Sequence, residues 1–165
     1  PDLMTRDGGT ESVQDVPTTL RGIPPERHAG DVAAVVRYVK NELRATRIGI
    51  IGFCFGGGVV WRAATMNPDL AAAVPCYGSN PPLEDVPKIH AAVFAVYGGL
   101  DERVNAGIPA ITQAMKAAGH TFDHKIYPQA QHAFLNHTSA ERYNAEAARA
   151  AWADALAGLD RYLRK

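Results

Sequence analysis

Cys54, Asp101 and His132 are the residues whose types and order could do covalent chemistry in this sequence. Cys54 lies in Gly52-Phe53-Cys54-Phe55-Gly56-Gly57, after the apolar run Arg47-Ile48-Gly49-Ile50-Ile51 and before a stretch that reads as helix. Strand, Gly-x-nucleophile-x-Gly, helix is the layout of a nucleophile elbow, a sharp turn that lifts one side chain above a sheet. Gly52 and Gly56 are expected to leave room for that turn, because a β-carbon at either would clash. Gly57 and Gly58 are expected to let the following helix pack close to neighbouring strands. As a thiolate, Cys54 could attack a carbonyl carbon. The helix N-terminus should favour its charge by roughly 0.3–2 kcal/mol.

The other two residues follow in a telling order. Asp101 comes in Gly98-Gly99-Leu100-Asp101 and His132 in Pro128-Gln129-Ala130-Gln131-His132-Ala133-Phe134, each just after a strand-like run. Nucleophile, acid, histidine is the chain order of elbow-type hydrolases. Loops after strand carboxyl ends are where open parallel sheets build sites. His132 would pair with the thiolate and hand a proton to the leaving group. Asp101 would hold the other imidazole nitrogen and fix the tautomer. The backbone N–H of Phe55 would supply one oxyanion donor. Taken singly, Asp101 could merely cap the next helix, and His132 could be an idle loop histidine. Only the combination with the elbow carries weight.

The positioning elements are legible from periodicity. Residues 1–29, broken by Gly8, Gly9, Pro17, Gly22, Pro24 and Pro25, read as an irregular loop, with Pro1-Asp2-Leu3 like the end of a strand. From Asp31, a plausible cap or first-turn acid, Val32, Val35, Val36, Val39 and Leu43 recur on one helical face. A strand over 47–53 leads to the elbow and a helix over about 56–66, with Val59, Val60, Ala63 and Ala64 inward, ended by Asn67-Pro68. Ala71–Tyr77 reads as a buried strand, Gly78–Ile89 as loop and Ala91–Tyr97 as the next strand. A helix over about 105–118, with Ile108, Ile111, Ala114 and Met115 on one side, stops at Gly119. Phe122–Tyr127 reads as an edge-like strand. The last helix, about 139–164, carries Trp152, Leu156, Leu159 and Leu163 on one face. Alternating strands and helices predict an α/β domain with a mostly parallel sheet and helices on both faces.

Composition bounds the function. The 165 residues suit one domain with a sizeable core. Lys+Arg and Asp+Glu both number 17, so the net charge is zero, which argues against nucleic acid or an anionic membrane as the partner. No apolar run approaches the roughly 18–20 residues of a membrane span. No signal peptide is visible, although a sequence opening at Pro1 leaves room for an upstream leader. Two cysteines are too few for a disulfide framework, and both are expected to stay reduced, as in a cytoplasmic protein. Cys76 reads as a small buried core residue. His28, His90, His120, His124 and His137 show no metal-ligand spacing, Glu84-Asp85 reads as a solvated pair, and no Gly-Lys-Ser/Thr follows Gly56–Gly58. No cofactor and no metal are expected. Trp61 and Trp152 are expected in the core. The sequence carries no signal for an oligomeric state.

At Gly52–Gly57, Gly98–Asp101 and His132-Ala133-Phe134 the sequence resembles the dienelactone hydrolase (carboxymethylenebutenolidase) family of α/β-hydrolases, and Pro1-Asp2-Leu3 looks like that family's Pro-Asp-Leu. The resemblance runs over nearly the whole chain. It implies a cysteine-dependent hydrolase acting through an acyl-enzyme on a small-molecule ester or lactone. It also implies first strands, a second oxyanion donor and a glutamate near the thiol, all upstream of Pro1. The chain therefore looks like the C-terminal portion of such a domain, expected to be poorly stable and nearly inactive alone. Two departures bear on substrate. The family's dienelactone-cleaving members place an Arg where Asn136 stands, and a Gly where Gln131 stands. Arg6, Arg21 and Arg27 are the candidates to replace a second family Arg. These departures favour a general esterase or lactonase over dienelactone cleavage itself. Two other readings compete: a cysteine amidohydrolase such as a glutaminase, which would resemble His-x-Glu where His132-Ala133-Phe134 stands, and a non-catalytic binding protein on the same scaffold.

Overall fold

In the computed structural model, which describes residues 1–164, four parallel strands form one sheet in the order β1 (Ile48–Phe53), β2 (Leu70–Cys76), β3 (Ala92–Gly98) and β4 (Phe122–Tyr127). Spatial order equals chain order. Right-handed crossovers that always step in one direction must all pass over the same face of the sheet. The crossovers are α3 (Phe55–Met66), a 3-10 turn at Leu83–Lys88, and the pair α4 (Glu102–Asn105) and α5 (Ile108–Ala117). Along β3, Val93, Ala95 and Tyr97 face this side and join Val59, Val60, Trp61, Ile111 and Met115 in one core. Phe94 and Val96 face the other side, with Val74, Cys76, Phe134 and α6 (Ala145–Leu163). That alternation is the period of two of a strand buried on both faces. The expected parallel sheet with helices on both faces is present.

Several boundaries differ from the sequence reading. The stretch 1–29 is not an irregular loop. It holds 3-10 turns at Thr5–Asp7 and Thr10–Ser12, helix α1 (Val16–Gly22), and the start of α2 (Pro25–Asn41). Asp2 organises the first turns, its carboxylate accepting from Met4 N at 2.8 Å and from Thr10 Oγ1 at 2.9 Å. No strand includes Pro1-Asp2-Leu3. Proline misled the reading of 25–29, because Pro25 sits at the first helical position, where its missing N–H costs nothing. Asp31 is therefore inside α2 rather than capping it, and pairs with Arg6 at 2.6 Å. Of the expected apolar stripe only Val32 and Val36 are buried, while Val35 and Leu43 are exposed. The expected helix over 105–118 is two helices, α4 and α5, and the loop 78–89 contains the 3-10 turn.

The last helix also differs. It starts at Ala145, capped by Asn144, whose side chain accepts from Ala147 N at 3.0 Å. The residues it buries are Ala148, Ala151 and Ala155, whereas Leu156 is exposed and Trp152, expected in the core, is 45% exposed. Small side chains let the helix lie close on β2 and β3, which excludes the larger residues from the contact. Asp154 joins α6 to β4. It accepts from Tyr127 Oη and from Lys125 Nζ, both at 2.6 Å, and these bonds hold its carboxyl below the usual range. Among the described residues no helix is long and apolar enough to cross a membrane.

Replacing Ala151 by Leu should destabilise the protein by about 1–3 kcal/mol through overpacking. Leu156→Ala should change stability by no more than about 0.5 kcal/mol. Urea unfolding of the two variants checks the assignment, and the reverse ranking would overturn it.

Candidate active site

β1 ends at Phe53, and Cys54 turns the chain into α3 with φ 53° and ψ −114°. This left-handed backbone is rare for a residue with a side chain and is tolerated where surrounding bonds fix it. Here Cys54 N donates to Cys76 O at 3.0 Å, and Cys54 O accepts from Gly57 N at 3.0 Å. A β-carbon on Gly52 would sit 2.4 Å from Gly56 O, so that glycine is required by the turn. Gly56 itself is not: a β-carbon there would meet nothing within 4 Å, contrary to the expected clash. Gly57 would carry a β-carbon 2.5 Å from Cys76 O, and its partner in this approach is Gly78, whose own β-carbon would lie 2.2 Å from Gly57 C. At Gly58 the contacts would be ordinary, 3.7 Å or more.

Asp101 follows β3 and His132 follows β4, and the two loops press together. Leu100 N donates across to Ala130 O at 3.0 Å, while within the loop after β3 Asn105 Nδ2 donates to Gly98 O at 2.8 Å. A β-carbon on Gly98 would lie 2.6 Å from Gln131 O. The result is a hydrogen-bonded chain of three side chains. Asp101 Oδ2 lies 2.5 Å from His132 Nδ1, and His132 Nε2 lies 3.0 Å from Cys54 Sγ. Asp101 is 6% exposed and does both things considered for it, since its Oδ1 also accepts from Val104 N at 3.3 Å as the cap of α4. A carboxylate on Nδ1 keeps the proton on that nitrogen and leaves the Nε2 lone pair facing the thiol.

Phe55 occupies the first position of α3, so its N–H has no helical carbonyl to reach. It stands beside the exposed Cys54 thiol. Tyr77 and Ala133 were not singled out by sequence. Their φ values, 39° and 63°, make them strained like Cys54, and all three lie within this cluster. The Tyr77 ring packs edge-on against His132, with centroids 5.3 Å apart, and burial pushes its phenol pKa well up. The only sequence signal for Tyr77 was its place beside Gly78 at a strand's carboxyl end.

Two cavities meet at Cys54 and Tyr77. The first, about 950 Å3, also touches His132 and is walled by Leu20, Ile23, Phe55, Val59 and Pro81, with His28, Asn80 and Arg103 among its polar groups. The second, about 660 Å3, lies against Phe53, Leu135, Tyr143 and Trp152. Asn136 lines the second cavity. Of the three arginines considered, Arg6 and Arg27 are paired with Asp31 and Asp7, and Arg21 lines the first cavity. Among the described residues no group of three His, Cys, Asp or Glu could hold a metal ion.

Comparison with known proteins is consistent across sequence and structure. The model of the Dienelactone hydrolase family matches residues 1–163. A protein of Escherichia coli named "Putative carboxymethylenebutenolidase" is 31% identical over 178 residues, covering 98% of this chain and 65% of its own length. One of the same name from Methylorubrum extorquens is 32% identical, covering 92% and 58%. The chain thus spans about two thirds or less of the length of these relatives. A crystal structure described as a "Putative Dienelactone Hydrolase" from Klebsiella pneumoniae superposes with a TM-score of 0.83 at 30% identity, over 97% of this chain and 73% of that one.

Two expectations follow from the site. Burial pushes the Cys76 thiol up to about 12, so it stays protonated and inert at pH 8, whereas Cys54 is exposed. Iodoacetamide at pH 8 should add one group per native chain, at Cys54, and a second only in denaturant, as read by mass spectrometry. Gly57→Ala should destabilise by about 1–3 kcal/mol, whereas Gly56→Ala should be neutral or stabilising by up to about 1 kcal/mol. Thermal and urea unfolding distinguish the two.

Proposed function

The chain belongs to the dienelactone hydrolase family, and on that premise we propose that it opens small esters or lactones through an acyl-enzyme on Cys54. The observation that carries this reading is the unbroken hydrogen-bonded chain from Cys54 Sγ through His132 to Asp101. His132 Nε2 takes the thiol proton as sulfur attacks the acyl carbon. The carbonyl oxygen then bears the negative charge and accepts from the Phe55 N–H at the positive end of α3. Collapse of this intermediate breaks the carbon–oxygen bond, and the imidazolium returns its proton to the departing alkoxide. A water, deprotonated by His132, hydrolyses the thioester and restores the thiol. In a lactone the freed hydroxyl stays on the same carbon chain as the acyl group, and the second step breaks the acyl–sulfur bond and releases one hydroxy acid. The buried Asp101 carboxylate stabilises the imidazolium at both stages.

The first cavity supports a compact substrate, since its volume lies within the range of small-molecule sites and apolar side chains form most of its wall. A thiol that must remain reduced suits the cytoplasm. Cys54→Ala should abolish turnover of p-nitrophenyl acetate and the mass increment of the trapped acetyl-enzyme. His132→Asn and Asp101→Asn should each lower kcat/KM by about 10²- to 10⁴-fold. Wild-type turnover by Cys54→Ala would overturn the mechanism.

A further inference from the structure

Helix α1 forms one wall of the first cavity, through Val16, Pro17, Leu20 and Arg21, yet it is seven residues long and none of them is buried. Two helical turns do not hold themselves together in water, and with no buried side chain α1 gains little from packing. Its N-terminus is capped internally by Asp15, whose carboxylate accepts from Thr18 N at 3.1 Å. Its C-terminal carbonyls are orphans of the kind every helix end leaves. One of them, Leu20 O, takes one bond from Ile23 N at 3.3 Å within the helix end, and its other lone pair lies 3.2 Å from His28 Nε2, on α2. A carbonyl oxygen only accepts, so Nε2 carries the proton and Nδ1 of the neutral ring is a bare acceptor.

His28 is 3% exposed, and its Nδ1 has no partner among the described residues. Burying that nitrogen unpaired is unfavourable. An apolar side chain would avoid the cost but would leave Leu20 O with only the bond from Ile23 N inside α1, and no bond from α1 to α2 at this point. The same ring packs edge-to-face on Phe55, with centroids 5.2 Å apart and planes at 85°. Leu20, His28 and Phe55 all line the first cavity. One side chain thus touches both the weakly held wall and the residue after the nucleophile.

We propose that His28 is a positioning residue that latches α1 over the first cavity and braces it against Phe55, setting the room available to the acyl group of the substrate. The substrate part of this rests on the ester-hydrolase reading; the latch itself does not. Without the Nε2–H bond α1 swings out, the cavity loses a wall, and longer acyl chains lose their contact with Val16 and Leu20. The chain of Cys54, His132 and Asp101 does not include His28.

The test pairs His28→Phe, which keeps an aromatic ring but no donor, with His28→Gln, whose amide N–H can reach the Leu20 carbonyl. Trypsin cleavage of the native protein after Arg21, within α1, reads the latch. The ratio of KM for p-nitrophenyl butyrate to that for the acetate reads the cavity. In His28→Phe both the cleavage rate and the KM ratio should rise about 3- to 10-fold, the range of one net hydrogen bond, and His28→Gln should return both towards wild type. Wild-type cleavage kinetics in His28→Phe, or His28→Gln behaving like His28→Phe, would overturn the latch. Absence of an acetyl group on Cys54 after p-nitrophenyl acetate treatment of the wild-type protein, a single-turnover readout that slow turnover does not hide, would instead overturn the hydrolase reading, and the trypsin arm would still decide the latch.

Discussion

Where β1 gives way to α3, the backbone of Gly57 rests on the backbone of Gly78, at a distance that no β-carbon on either could share. This contact brings the N-terminus of α3 down onto the end of β2. It lets Cys54 N reach Cys76 O and thereby holds the left-handed turn at Cys54. Tyr77, between Cys76 and Gly78, is carried by the same contact to a place beside His132. A side chain at Gly57 would push the helix away and, with it, the thiol. The cluster around Cys54 depends on two glycines twenty-one positions apart.

Strain and burial concentrate at the same edge of the sheet. Among the described residues, three of the four left-handed ones other than glycine, Cys54, Tyr77 and Ala133, lie in the cluster. Strained backbone persists only where neighbours over-determine it, and here two loops are pressed together by Gly98 against Gln131 and by Leu100 N to Ala130 O. Asp101 serves this geometry twice. One oxygen caps α4 and fixes the carboxylate, and the other faces His132. A side chain held by its own helix cap cannot easily turn away from the imidazole.

The wall opposite this rigid edge is of another kind. Its Val16, Pro17, Leu20 and Arg21 belong to α1, none of whose residues is buried. A rigid edge carrying Cys54, His132 and Asp101 beside a lightly held wall lets the cavity change shape without moving those three side chains. His28 joins the two parts, which gives a buried, half-satisfied imidazole a physical reason to be there.

Local sequence determined much of this. The Gly-x-Cys-x-Gly turn between a strand and a helix, the order Cys54, Asp101, His132, and the placement of each after a strand were all legible, because turn chemistry and strand periodicity are short-range properties. The inward residues of α3 were legible for the same reason. Tertiary structure decided the rest. Periodicity put Trp152 and Leu156 on the buried face of the last helix, but close packing on the sheet selected Ala148, Ala151 and Ala155 instead. Proline and glycine marked residues 1–29 as loop, although Pro17 and Pro25 sit in first turns, where proline is tolerated. Gly78, Tyr77 and His28 carried no usable signal, since their roles arise only where segments distant in sequence meet. Periodicity records which way a side chain faces within its own element; what it meets there is fixed by the approach of another element, and that distance is set by contacts no single segment contains.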